Sequence, residues 1–194
     1  MSFYCKLDNA WRESNSLVCV GLDPDLEKIP HHLKSRPHPV FDFNRQIIDA
    51  TADLACAYKL QIAYYAGYAI EDQLTQTIKH LARNYPHLPI ILDAKRNDIG
   101  ATAEMYAKEA FDRYCADAVT VNPYLGGDAL LPFLNRKDKG TIILCRTSNP
   151  GGKDLQHRVV DGRPLYQIVA EMAVEDWNEN ENVALVVGAT YPRE

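Results

Sequence analysis

Six short runs of β-branched and aliphatic residues, each followed by a longer amphipathic stretch, limit the folds open to this chain more than any other feature. The runs are "SLVCVGLD" (16–23), "ACAYKLQ" (55–61), "PIILDAK" (89–95), "DAVTVNP" (117–123), "TIILCRT" (141–147) and "VALVVGA" (183–189). Apolar residues fill them almost without a break, the pattern of parallel strands covered on both faces. Between them lie stretches with helical spacing at 40–54, 70–85, 98–115 and 164–178. The segment 98–115 sets Ala103, Tyr106, Ala107, Ala110, Phe111 and Tyr114 on one face and Lys108, Glu109, Asp112 and Arg113 opposite. Strict alternation of this kind predicts an α/β fold with parallel strands joined by helical crossovers.

Two architectures satisfy it, an open doubly wound sheet and a (β/α)8 TIM barrel. Polar residues recur where the strands end: Asp23, Lys59, Asp93 with Lys95, Asn122, Arg146 to Ser148, and Thr190. A barrel assembles its site from many strand ends at once. A doubly wound sheet concentrates its site at one switch point, usually behind a Gly-rich first turn. The first turn here, "GLDPDLEKIP", holds one glycine. The barrel is the expectation, as a single domain over residues 1–194. Only six strands are legible, so the barrel is expected to stop after the sixth, without its last two βα units.

The 194 residues are 46% hydrophobic and 24% charged, enough for one sizeable core. No stretch has the ~18–20 continuous apolar residues of a membrane span, and the N-terminus lacks the basic-then-apolar pattern of a secretory signal. Five cysteines without C-x-x-C spacing suggest a reduced, cytoplasmic protein. Cys19, Cys56 and Cys145 lie in apolar runs and are expected to act as small hydrophobes. A net charge of −5 argues against nucleic-acid or anionic-membrane partners.

The densest chemistry is "DAKRND" at 93–98. Side chains two apart on a strand share a face, so Asp93 and Lys95 are expected to point together towards the barrel mouth, within reach of Lys59. An alternating array of Lys59, Asp93, Lys95 and Asp98 would hold each lysine protonated and each aspartate ionised. Such a cluster suits a proton donor beside a developing carbanion better than a Schiff-base lysine, which needs a depressed pKa. The plainer possibility is a structural ion pair, with Asp98 capping the next helix.

The motif and its continuation, "DAKRNDIGATAEMYA", resemble the orotidine 5'-phosphate decarboxylase family, whose bacterial and archaeal branch writes it DAKRxDIGxTAxxYA. The likeness extends to "VGLDPDLEKIP", "YKLQIAYY", "TVNPYLGGDAL", "RTSNPG" and "VVGATYP". It implies a cofactor-free decarboxylation of orotidine 5'-phosphate to UMP in pyrimidine synthesis. Lys95 would protonate C6 as carbon dioxide leaves, Asp93 would sit beside the substrate carboxylate, and Lys59 would tie the charges to the ribose hydroxyls. Asp23 would bind ribose and Ser148 the pyrimidine. The resemblance further implies a homodimer with shared sites, in which Asp98, Ile99 and Thr102 complete the partner's site. No metal is implied. The family often has proline at the place of Leu60 and glycine at the place of Asn97. It grips the substrate phosphate with loops after strands seven and eight, which the six legible strands do not include.

Two alternatives share the short D-x-K-x-x-D pattern or the fold. One is a magnesium-dependent sugar-phosphate decarboxylase or aldolase of the same barrel superfamily; the other is a non-catalytic truncated barrel. Lesser signals carry little. "NPGGKD" (149–154) lacks the Ser or Thr and upstream glycine of a nucleotide P-loop. His31, His32 and His38 read as a solvated loop, and Tyr64, Tyr65 and Tyr68 as packing residues.

Overall fold

The chain, described over residues 1–194 by a computed structural model, builds one parallel sheet whose strands lie side by side in chain order. They are β1 (Cys19–Leu22), β2 (Ala57–Gln61), β3 (Ile90–Arg96), β4 (Ala118–Val121), β5 (Gly140–Arg146) and, beyond a small hairpin, β8 (Val183–Val187). All five neighbouring pairs are parallel. Sequential order rules out a doubly wound sheet, in which the order reverses at a switch point. It is the order of a barrel wall, here with β1 and β8 as free edges. The strands predicted from sequence match the observed ones to within a few residues at each end.

The registers divide the sheet into two unlike faces. Leu22, Tyr58, Leu60, Leu92, Val119, Val121 and Ile143 fall on one face and are buried. They join a single hydrophobic cluster with the connecting helices. Those helices are α3 (Pro39–Thr51), α5 (Glu71–Asn84), α6 (Gly100–Lys108), α7 (Gly127–Leu134) and α9 (Leu165–Glu175); α2 (His31–Lys34), α4 (Ile62–Ala66) and α8 (Lys153–Gln156) are short turns of helix in the loops. The other face carries Gly21, Ala57, Ala118, Gly140 and Ala184, with Ile91 and Ile142, beside Lys59, Asp93 and Thr120. Small residues suit the concave side of a curled sheet, where side chains converge.

An N-terminal helix, α1 (Phe3–Ser14), closes one end of this concavity. Phe3 N–H donates to the Asp138 carbonyl at 3.0 Å, the Tyr4 hydroxyl bonds the Val183 carbonyl, and Lys6 pairs with Asp117 at 2.8 Å. Asp117 also accepts from Ile90 N–H, so α1 rests on the starts of β3, β4, β5 and β8. Gly140 is required there: a Cβ would overlap the Phe3 ring and approach Ala118 Cβ to 2.8 Å.

Some expectations are corrected. The segment 98–115 is not one α-helix, because α6 passes at Glu109–Arg113 into a π-helical turn. Ala103, Ala107, Ala110, Phe111 and Tyr114 are nevertheless all buried, as the stripe predicted. Cys56 and Cys145 are buried, but Cys19 is exposed, since β1 is an edge strand. His31 and His32 belong to the short helix α2 rather than an irregular loop. Of the three tyrosines only Tyr65 is buried, bonded to Asn44 and the Leu22 carbonyl, whereas Tyr64 and Tyr68 are exposed. A hairpin of β6 (Val159–Val160) and β7 (Arg163–Pro164) adds to the expected elements; its turn is Asp161-Gly162, both at positive φ, the D-G signature of a two-residue hairpin.

Candidate active site

At the C-terminal ends of β1, β2 and β3 four charged side chains form a line, Asp23, Lys59, Asp93, Lys95. Lys59 Nζ lies 3.6 Å from Asp23 Oδ1 and 3.0 Å from Asp93 Oδ2; Lys95 Nζ lies 2.6 Å from Asp93 Oδ1. The register explains the meeting, for Gly21, Lys59 and Ile91 are direct neighbours across the three strands. Their facing successors Asp23 and Asp93 therefore flank Lys59 on the concave side. Asp93 is the enclosed member, 8% exposed at its side chain, against 31% for Lys59 and 44% for Lys95.

Burial alone would raise the Asp93 carboxyl's pKa, but hydrogen bonds from Lys95, Thr120 and Lys59 outweigh it and hold the group below the usual carboxylate range. Burial would likewise lower the Lys59 ammonium; the hydrogen bond and charge of Asp93, helped by Asp23, hold it above the usual lysine value instead. The mutual stabilisation of charged forms expected from the motif thus holds for the central pair. Lys95 spends one of its three N–H donors on Asp93 and leaves two unused.

Two sequence arguments reach their outcome by a different route. Asp93 and Lys95 do face one mouth, but not through simple alternation, because the β3–β4 register shifts between Leu92 and Arg96. Lys95 sits in the left-handed region at φ 48°. Arg96 turns away to the helix layer, where it pairs with Glu109 at 2.7 Å and stacks over Tyr106. Asp98 is not the N-cap of α6, a position held by Ile99 without a side-chain cap; its Oδ1 accepts from Ile99 N–H at 2.8 Å.

No hydrogen bond or ion pair links Asp98, Ile99, Thr102 or Ser148 to the charged line. Asp98 is partly exposed, and Ile99 and Thr102 are exposed at the start of α6, Ile99 at 60%. Ser148 lies exposed in the loop after β5. Its neighbour Thr147 is held by Gln156, which accepts from the Thr147 amide at 2.9 Å and donates to the Thr147 hydroxyl at 2.8 Å. Gly188, after β8, packs against the Ser148 backbone so closely that a Cβ would stand 3.1 Å from Ser148 Cα. Sequence reasoning missed Thr120, whose hydroxyl touches Asp93 directly at 2.7 Å. The available signal was a lone hydroxyl in the buried run "AVTV", on the face that carries Asp93.

An in-order parallel wall with a charged cluster at its strand ends defines a protein of the (β/α)-barrel class. The family model described as the orotidine 5'-phosphate decarboxylase / HUMPS family matches residues 16–194, and the chain belongs to that family. It is 58% identical over 194 residues to the orotidine 5'-phosphate decarboxylase of Janthinobacterium sp. (strain Marseille), covering 100% of this chain and 72% of that protein. It is 59% identical over 196 residues to that of Cellvibrio japonicus, with the same coverage. The solved structure of Leishmania donovani OMP decarboxylase superposes with a TM-score of 0.88 at 39% identity, over 99% of this chain and 72% of that one.

Proposed function

We propose that this protein decarboxylates orotidine 5'-phosphate to UMP, with Lys95 as proton donor. The observation that carries the reading is the line Asp23, Lys59, Asp93, Lys95 at the barrel mouth, ending in an ammonium with two free donors. Loss of carbon dioxide from C6 leaves a carbanion with no adjacent electron sink. A fixed ammonium at that carbon stabilises the developing charge electrostatically and then supplies the proton. Asp93 holds the Lys95 ammonium in place through a 2.6 Å bond, which preorganises the donor before substrate arrives. Lys59, bridging two aspartates, and Asp23 are available to the ribose hydroxyls, and Ser148 to the pyrimidine.

The reading includes a homodimer in which Asp98, Ile99 and Thr102 serve the partner's site. It is supported by the exposure of Ile99, the N-cap of α6, and of Met105 on that helix, 60% each, and by the lack of any bond from Asp98 to the cluster of its own chain. No helix is long and apolar enough to cross a membrane, and all five cysteines are free, in keeping with the cytoplasmic setting of such an enzyme. The test is conversion of orotidine 5'-phosphate to UMP, with and without a chelator. Equal turnover in both supports the reading. Activity lost to the chelator and restored by magnesium would favour the metal-dependent branch of the superfamily. No turnover in either condition would overturn the assignment for this chain.

A further inference from the structure

The irregularity in β3 has an unusual anatomy. Leu92 pairs with Val119 and Arg96 with Val121, so three β3 residues, Asp93, Ala94 and Lys95, face the single β4 residue Thr120. A strand that bulges in this way leaves main-chain N–H groups without ladder partners, and unpaired buried amides are costly. Thr120 is 4% exposed, and its hydroxyl takes up both. Oγ1 accepts from Ala94 N–H and from Lys95 N–H, each at 3.0 Å, and donates its proton to Asp93 Oδ1 at 2.7 Å. A hydroxyl has one donor and two acceptor lone pairs. All three are used, and all three act on consecutive residues of the motif.

We infer that Thr120 is a positioning residue that clamps the bulge and so sets both the backbone of Lys95 and the carboxylate that aims its ammonium. The φ of 48° at Lys95 is rarely adopted by a long side chain unless its surroundings over-determine it. Here the Thr120 hydroxyl holds the Lys95 amide on one side while Asp93, itself fixed by Thr120, holds the side chain on the other. Valine at this place would keep the strand and the shape but offer none of the three bonds. Serine would keep the oxygen. Asp93 would then depend on the two lysines alone, and the two amides would have no acceptor.

This inference rests on the reading of Lys95 as proton donor, so its test has readouts that need no turnover. In Thr120→Val, exchange of the Ala94 and Lys95 amides should accelerate by about tenfold or more, as expected when a protecting acceptor is lost. Titration of the Asp93 carboxyl, followed by carbon NMR, should move upward, since one of the bonds holding it down is gone. For orotidine 5'-phosphate, kcat should fall by about tenfold to a hundredfold, the scale of a small misplacement of a reacting group, while KM stays within about threefold. Thr120→Ser should recover all three properties. Unchanged amide exchange and Asp93 titration in Thr120→Val would overturn the clamp. So would a Thr120→Ser protein as impaired as Thr120→Val, which would assign the role to the methyl group and packing. If wild type turns over no substrate, the functional reading fails, while the amide and carboxyl measurements still decide the clamp.

Discussion

Replacing Asp93 by asparagine is the sharpest probe of the charged cluster, because the side chain keeps its size, loses its charge and exchanges one acceptor oxygen for an NH2 donor. Asp93 accepts from Lys95 at 2.6 Å, Thr120 at 2.7 Å and Lys59 at 3.0 Å. The Lys59 bond is the more enclosed and is worth about 1.5 kcal/mol as a charge-assisted bond. The Lys95 bond ends on a side chain 44% exposed, so solvent screening reduces it to about 0.5 kcal/mol. Asparagine still accepts from Thr120. A net loss of about 2 kcal/mol follows, or about 4–8 °C in Tm for a chain of this size.

The pH dependence carries the sign. The folded Asp93 pKa lies below the ordinary aspartate value of ~3.9, so its contribution is complete above about pH 5. It disappears as the pH falls through the folded value. Lys59, held above its ordinary value near ~10.4, keeps its share below that value and loses it only as the pH rises through the folded one. Thermal unfolding of wild type and Asp93→Asn between about pH 2.5 and 9 should therefore show a constant gap from about pH 5 to 9 that narrows steadily in acid. Equal Tm values at pH 7, or a gap that persists undiminished at the acid end, would refute this account of the cluster.

Gly140→Ala should destabilise the fold by about 1–3 kcal/mol, the usual cost of overpacking, because the new methyl meets Phe3 and Ala118; an unchanged Tm would show that α1 does not pack there as described. If the proposed homodimer shares its sites, mixing Asp98→Ala protomers with Lys95→Ala protomers should regenerate activity, because one of the two sites in each heterodimer would keep both residues. No recovery after subunit exchange confirmed by mass would mean that Asp98 works within its own chain. Asn44→Leu should cost about 1–3 kcal/mol, since Tyr65 and Thr77 lose the buried amide at 2.9 and 3.2 Å. Denaturant unfolding that leaves stability unchanged would contradict that buried network.

The strands were legible because their outer residues, such as Tyr58, Leu60, Leu92 and Val119, meet helices and most of their concave residues, such as Ala57, Ile91, Ala118 and Ile142, are apolar too. The result is continuous runs that local composition reveals. The barrel order followed from the polar residues at the strand ends, and the meeting of Lys59 with Asp93 from alternation on β2 and β3. What the sequence hid depends on distant partners. Nothing local tells Phe3 that it will cover Gly140, 137 residues away by the numbering. Nothing in "LDAKR" announces a bulge either, since its cause, three residues facing one, is a property of the β3–β4 register. Thr120 was missed for the same reason: its hydroxyl has meaning only once Ala94 and Lys95 lack ladder partners. Cys19 looked buried by composition and is exposed because β1 is an edge strand.

If the Lys95 ammonium, held by Asp93, supplies both the charge and the proton, its loss should be felt in turnover far more than in binding. The most direct measurement is turnover of orotidine 5'-phosphate by Lys95→Ala beside wild type, with UMP affinity measured by calorimetry on the same preparations. Lys95→Ala should lose more than about a hundredfold in kcat, the least that removing a general acid typically costs, with UMP affinity within about tenfold of wild type. A Lys95→Ala protein retaining more than about a hundredth of wild-type turnover would contradict it.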